Sequence, residues 1–168
     1  MDHDFNYDHT PIAYFITFRS YGTWMHGDER GSVDRHHRGY DTPMLPPSPR
    51  RELIERGYLK QTPVKLNSRQ RQAVATGIRE SCAIRKWNLW TLNVRTNHLH
   101  CVVTAHSNPK RVLSTLKANA TKAMRSAGCW RSDLSPWARG GSTKYLWTEE
   151  DLSDAISYVE YGQGQPLD

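Results

Sequence analysis

One predicted hairpin restricts the fold more than any other part of the chain. Asn88–Val94 alternates polar and apolar residues, and His98–Ala105 returns as an apolar run after a tight turn at Thr96-Asn97. In the second strand of such a hairpin alternate side chains share a face, so His98 and His100 project to the same side. Two imidazoles one strand step apart can chelate one divalent metal ion.

The segments around the hairpin predict the fold class. The other predicted elements are a strand at Ile12–Phe18, a short helix at Ser48–Gly57, a helix from an N-cap at Ser68 to Trp87, a helix from Pro109 to Gly128, a strand at Thr143–Trp147, and a last helix that Thr148 caps and Gly162 ends. Without the short helix, the order is strand, helix, strand, strand, helix, strand, helix. This order predicts an α+β fold, a ferredoxin-like split βαβ antiparallel sheet with helices on one face. The other face is then free for a site.

The length and charge of the chain limit its function. Its 168 residues suit a single domain over 1–168, and no apolar stretch or leader-like N-terminus indicates a membrane protein, so the cytoplasm is the expected location. The net charge of +6 fits either a nucleic-acid partner or simple solubility, and six Trp and eight Tyr favour nucleic acid because rings among cations stack on unpaired bases.

The histidine pair belongs to a longer pattern that resembles a known family. His98-Leu99-His100 followed by Val102-Val103 is similar to the HUH signature of single-tyrosine transposases, which serve small insertion sequences or are REP-associated. The resemblance extends to the first strand, the basic helix after the hairpin and the tyrosines of the last helix. The phrases Tyr21-Gly22-Thr23-Trp24 and Tyr145-Leu146-Trp147-Thr148 are similar as well. The irregular, proline-containing stretch at 25–63 exceeds the family minimum and is interpreted as an insertion.

The resemblance implies a reaction and its parts. The family cuts hairpin-forming single-stranded DNA through a 5′-phosphotyrosine intermediate, with a divalent cation, Mg²⁺ or Mn²⁺, held by the two histidines. Insertion-sequence members act as homodimers and REP-associated members more often as monomers, so either state is expected here.

The last helix offers two tyrosines for the nucleophile. Family members carry an amide one helical turn after the tyrosine as the third metal ligand, but Gly162 lies four residues after Tyr158. We predict Tyr158 with Gln163, which requires the helix to unwind at Gly162, because Tyr158 flanks the buried face of the helix. The alternative is Tyr161 with Gln165. Three cations of the basic helix are candidates for DNA binding: Lys110, Lys117 and Arg125.

Three rival functions remain open from the sequence. Another HUH nickase, such as a replication initiator or relaxase, is disfavoured by the short chain and by a tyrosine that follows the histidines. A domesticated nucleic-acid-binding module without catalysis is disfavoured by the intact histidine pair and tyrosine. A metal-dependent hydrolase would need more acidic ligands near the pair than the sequence offers.

Overall fold

The computed structural model describes residues 10–23 and 48–167. Its elements are, in chain order, β1 (Ala13–Arg19), α1 (Pro49–Gly57), α2 (Ser68–Ile84), β2 (Asn88–Val94), β3 (His98–Thr104), α3 (Pro109–Ser126), β4 (Ser142–Leu146) and α4 (Glu149–Tyr161). Part of the predicted insertion at 25–63 lies outside the described residues, and α1 is the helix within its described part. The single-domain assignment stays a prediction. None of the described helices is long and apolar enough to cross a membrane.

The four strands form one antiparallel sheet in the order β2-β3-β1-β4. This order, with α2 between β1 and β2 and α3 between β3 and β4, is the split βαβ arrangement, so the predicted fold class is confirmed. The two central strands are in a register that pairs Thr17 with His100 and Arg19 with His98. On the other side of β1, Thr17 pairs with Ser142. The histidines therefore lie in the middle of the sheet.

The alternation of side chains divides the sheet into two apolar cores. Ile16, Phe18 and Leu99 belong to the larger core, which α2 and α3 cover. Val102 belongs to the smaller core with Leu152, Ala155 and Val159 of α4 and with Ala13 and Leu146. Because His98, His100 and Val102 alternate with the residues of the larger core, α4 packs on the face that carries the histidines.

The ends of α2 differ from the sequence-based expectation. Asn67, not Ser68, is the N-cap: its side chain accepts the Gln70 N–H, and the Gln70 side chain accepts the Asn67 N–H. The helix ends at Ile84, before Trp87. Lys86 adopts a positive φ of 57°, and the Trp87 N–H donates to the Cys82 carbonyl at 2.9 Å, which closes the last turn.

Candidate active site

The hairpin places the two histidines side by side and fixes both rings. Their ring centroids are 4.9 Å apart on the α4 face of β3. The His98 Nδ1–H donates to Asn97 Oδ1 at 2.7 Å, and His100 Nδ1 lies 2.6 Å from Thr17 Oγ1. Hydrogen bonds at Nδ1 hold each ring in one orientation, which is how proteins commonly fix metal-binding imidazoles.

His100 is a neutral imidazole at ordinary pH. It is only 8% exposed and stacks on Phe15, with ring centroids 5.4 Å apart. Burial lowers the pKa of His100 to about 4; His98 and Arg19 act in the same direction, against a hydrogen bond to Gln163 that raises it. A neutral ring keeps a lone pair, so His100 is suited to bind a cation.

Helix α4 brings Tyr158 against the histidine pair. Its ring lies 5.7 Å from the His100 ring and 5.9 Å from the Phe15 ring, both edge to face. Leu152, Ala155 and Val159 anchor the helix on the sheet, and Tyr158 flanks that stripe with 49% of its surface exposed. Tyr161 is 80% exposed. Of the two candidate tyrosines, the fold brings Tyr158 to the histidines.

Helix α4 ends at Gly162, as the prediction of Gln163 as the third metal ligand requires. Gly162 is the C-cap of α4, and its N–H donates to the Tyr158 carbonyl. The next residue turns back, so Gln163 Oε1 lies 3.3 Å from His98 Nε2. Gln165 is held differently, because its backbone carbonyl accepts a hydrogen bond from Arg95 Nη1 at 2.7 Å. Arg95 thereby ties the tail that carries Gln163 to the end of β2.

The donor atoms fit a divalent cation. With the His98 proton on Nδ1, Nε2 turns a lone pair toward Gln163 Oε1, which is also an acceptor. Two donors about 2.1 Å from one cation, at tetrahedral or octahedral angles, are about 3.0–3.4 Å apart, which includes the observed separation. No cluster of three or more His, Cys, Asp and Glu side chains occurs in the described part of the chain, so an amide oxygen would complete the protein ligands.

These side chains line one cavity of about 450 Å³. Its lining adds residues to which the sequence assigned no role: Thr17, Arg19, Thr23, Asn97 and Ser142. Arg19 supplies positive charge beside the histidines. The usable sequence signal for Thr17 and Arg19 is their alternation with the apolar residues of the first strand, which places them on the opposite face from Phe18.

The three candidate DNA-binding cations lie elsewhere. Lys110, Lys117 and Arg125 are on α3, on the other side of the sheet from the histidines. The Lys117 ammonium donates to the carbonyls of Ala138 and Gly140 and lies over the Phe18 ring, so it ties α3 to a loop. Arg125 donates to the Ser132 carbonyl at 3.1 Å. The fold does not bring them into the cavity, and their contact with DNA stays a prediction.

Gly162 leaves the room that the Tyr158 ring occupies. A Cβ at position 162 would lie 2.8 Å from Tyr158 Cδ2 and 2.7 Å from the Tyr158 carbonyl oxygen. We expect Gly162→Ala to displace this ring and to slow any reaction of its hydroxyl roughly 10- to 100-fold, since small misplacements of a reacting group are costly. The rate is measured under single-turnover conditions. Gly57→Ala, at a helical glycine with no heavy atom within 4 Å of its Cβ position, is the control, and an unchanged rate for Gly162→Ala contradicts the packing argument.

No protein-family model matches the chain, and no curated protein matches it. Two solved structures are similar in backbone. A REP-associated tyrosine transposase bound to a REP hairpin has a TM-score of 0.49 and 11% identity, over 91% of this chain and 67% of that one. A candidate transposase from Deinococcus radiodurans R1 has a TM-score of 0.45 and 11% identity, over 89% of each chain. Both of those proteins are described as transposases, and similarity at this level assigns no activity to this chain.

Proposed function

We propose that this chain is a single-tyrosine HUH transposase that cuts and rejoins single-stranded DNA through a 5′-phosphotyrosine intermediate. One observation carries the proposal. The nucleophile candidate Tyr158 on α4, the pair His98 and His100 on β3, and the amide of Gln163 in the tail after α4 line the same cavity. A tyrosine beside a two-histidine pair and an amide oxygen is suited to phosphoryl transfer at a cation-bound phosphate.

The proposed reaction is a balanced exchange at phosphorus. Tyr158 Oη attacks the scissile phosphate, an Oη–P bond forms, and the P–O3′ bond breaks. The phenolic proton leaves Oη and the departing O3′ ends as a 3′-hydroxyl. No external energy source is needed, because one phosphodiester replaces another. Attack by a 3′-hydroxyl on the phosphotyrosine reverses the step and joins strands.

The side chains in and around the cavity have distinct parts in this reaction. Phe15 and His100 hold the Tyr158 ring edge to face, which limits where Oη can go. Arg19, on the same face of β1 as Thr17, is placed to attract a phosphate into the cavity. Thr17 and Asn97 orient the two imidazoles. His98, His100 and Gln163 would hold Mg²⁺ or Mn²⁺, which when bound polarises the phosphate oxygens.

In keeping with the sequence resemblance, the proposed substrate is a DNA strand that folds into a hairpin. The test uses such a strand labelled on one side of the cut at a time, incubated with Mg²⁺ or Mn²⁺ and separated on a denaturing gel. A label 3′ of the cut is expected to migrate with the protein, and a label 5′ of the cut to leave as a fragment with a free 3′-hydroxyl. Hairpin binding without any covalent product would instead indicate a non-catalytic binding module.

A further inference from the structure

A second cavity adjoins the candidate active site. It has a volume of about 460 Å³, which suits one nucleotide, and lies on the α3 side of the sheet end. Its lining comes from three loops and from α3. The charged and apolar side chains of this lining include Tyr21, Lys60, Lys117, Leu134, Trp137 and Arg139.

The same two chain segments contribute residues to both cavities. The chain leaving β1 contributes Arg19 and Thr23 to the active-site cavity, while Tyr21, between them, lines the second cavity. The segment that enters β4 repeats this pattern, with Gly140 on the second cavity and Ser142 on the active-site cavity. Residues two positions apart along these segments therefore line different cavities.

The second cavity is positively charged. Lys60, Lys117 and Arg139 line it, and no acidic side chain does so among the described residues. Lys117 is committed to two loop carbonyls, which fixes the shape of the cavity. Over residues 10–23 and 48–167, no hydrogen bond or ion pair engages the charged groups of Lys60 and Arg139. Two cations are thus available to an anionic ligand.

The same cavity has a rigid apolar wall. Trp137 is 4% exposed, and its indole N–H donates to the Lys117 carbonyl and to Thr121 Oγ1. The Tyr21 hydroxyl accepts the Lys60 backbone N–H at 2.8 Å, which ties its ring to the loop that carries Lys60. Leu134 adds an apolar side chain that is 40% exposed. Rings beside uncommitted cations are the elements that bind single-stranded nucleic acid.

We propose that this second cavity binds one nucleotide of the single-stranded flank next to the hairpin, with its base against Tyr21 and Leu134 and its phosphates at Lys60 and Arg139. The inference rests on the proposed function for its choice of DNA. A nucleotide held in this cavity would direct the neighbouring part of the strand toward Tyr158.

The test measures affinity in EDTA, which withholds the cation that the proposed reaction uses. Fluorescence anisotropy compares a hairpin with single-stranded flanks on both sides to the same hairpin without flanks. The variant is Lys60→Ala/Arg139→Ala, and the matched control is Arg79→Ala/Lys122→Ala, which removes the same charge elsewhere. We expect the variant to bind the flanked hairpin about tenfold more weakly than the wild type, with a salt dependence lower by about 1.4 in slope, because two phosphate contacts are lost.

The two probes separate this inference from the proposed reaction. Equal losses on both probes, or a loss no larger than that of the control, would overturn the nucleotide site. A wild type that prefers the flanked hairpin but forms no covalent product keeps the site and overturns the proposed reaction. A wild type that binds neither probe overturns both.

Discussion

Replacing Tyr158 by phenylalanine is expected to abolish the covalent protein–DNA product while leaving hairpin binding in place. The substitution removes only the hydroxyl, so the edge-to-face contacts with His100 and Phe15 persist and the fold is kept. Without Oη there is no atom to form the bond to phosphorus. Loss of a nucleophile typically lowers the rate by a factor of about 1,000 or more, and a denaturing gel measures it against labelled hairpin DNA.

Tyr161→Phe is the matched control, because it removes the same atom three residues along the same helix. Tyr161 is 80% exposed, and we expect its variant to cut like the wild type. Covalent product that survives in Tyr158→Phe and disappears in Tyr161→Phe would transfer the role of nucleophile to Tyr161. The structural account of the cavity would then be wrong about which tyrosine reacts.

Removing either imidazole is expected to have the second largest effect. We expect His98→Ala and His100→Ala each to lower cleavage by about 100-fold or more at a fixed Mg²⁺ or Mn²⁺ concentration, because each removes one of the proposed cation ligands. A higher metal concentration should restore part of the activity of His98→Ala, whose ring is not deeply packed. Cleavage rates measured over a range of metal concentrations give both the loss in each variant and its recovery.

His100→Ala needs a stability control, since the ring is buried against Phe15 and its loss leaves a void. A thermal melt of each variant separates unfolding from lost chemistry. His106→Ala, at an exposed histidine just beyond β3, controls for the loss of any imidazole. Full cleavage in EDTA, or full cleavage by both alanine variants, would contradict the metal site.

The elements of the fold could be predicted because local patterns determine them. The predicted bounds of the strand Asn88–Val94 agree with the structure, although the consecutive apolar residues Leu89 and Trp90 interrupt its alternation where the pairing with β3 shifts register. Local patterns predict the exact ends of helices less well than the elements themselves. Asn67 and Ser68 are both favourable N-cap residues, and only the reciprocal hydrogen bonds with Gln70 distinguish them.

The supporting residues of the site could not be predicted, because they depend on strand register. The contact of Thr17 with His100 joins residues 83 positions apart, and no local pattern fixes that pairing. The sequence predicts Gln163 as a metal ligand only on the assumption that the helix unwinds at Gly162, and α4 ends there. Lys117 illustrates the opposite case: a stripe of cations on a helix does not reveal which of them turn back to backbone carbonyls.

The most direct test of the account is to identify the residue that carries the DNA. The covalent product is digested with nuclease and trypsin, and fragmentation mass spectrometry locates the remaining nucleotide within the C-terminal peptide that contains both Tyr158 and Tyr161. The account predicts a 5′-phosphonucleotide on the Tyr158 oxygen. A nucleotide on Tyr161 or on any other residue, or no modified peptide from an active reaction, would contradict it.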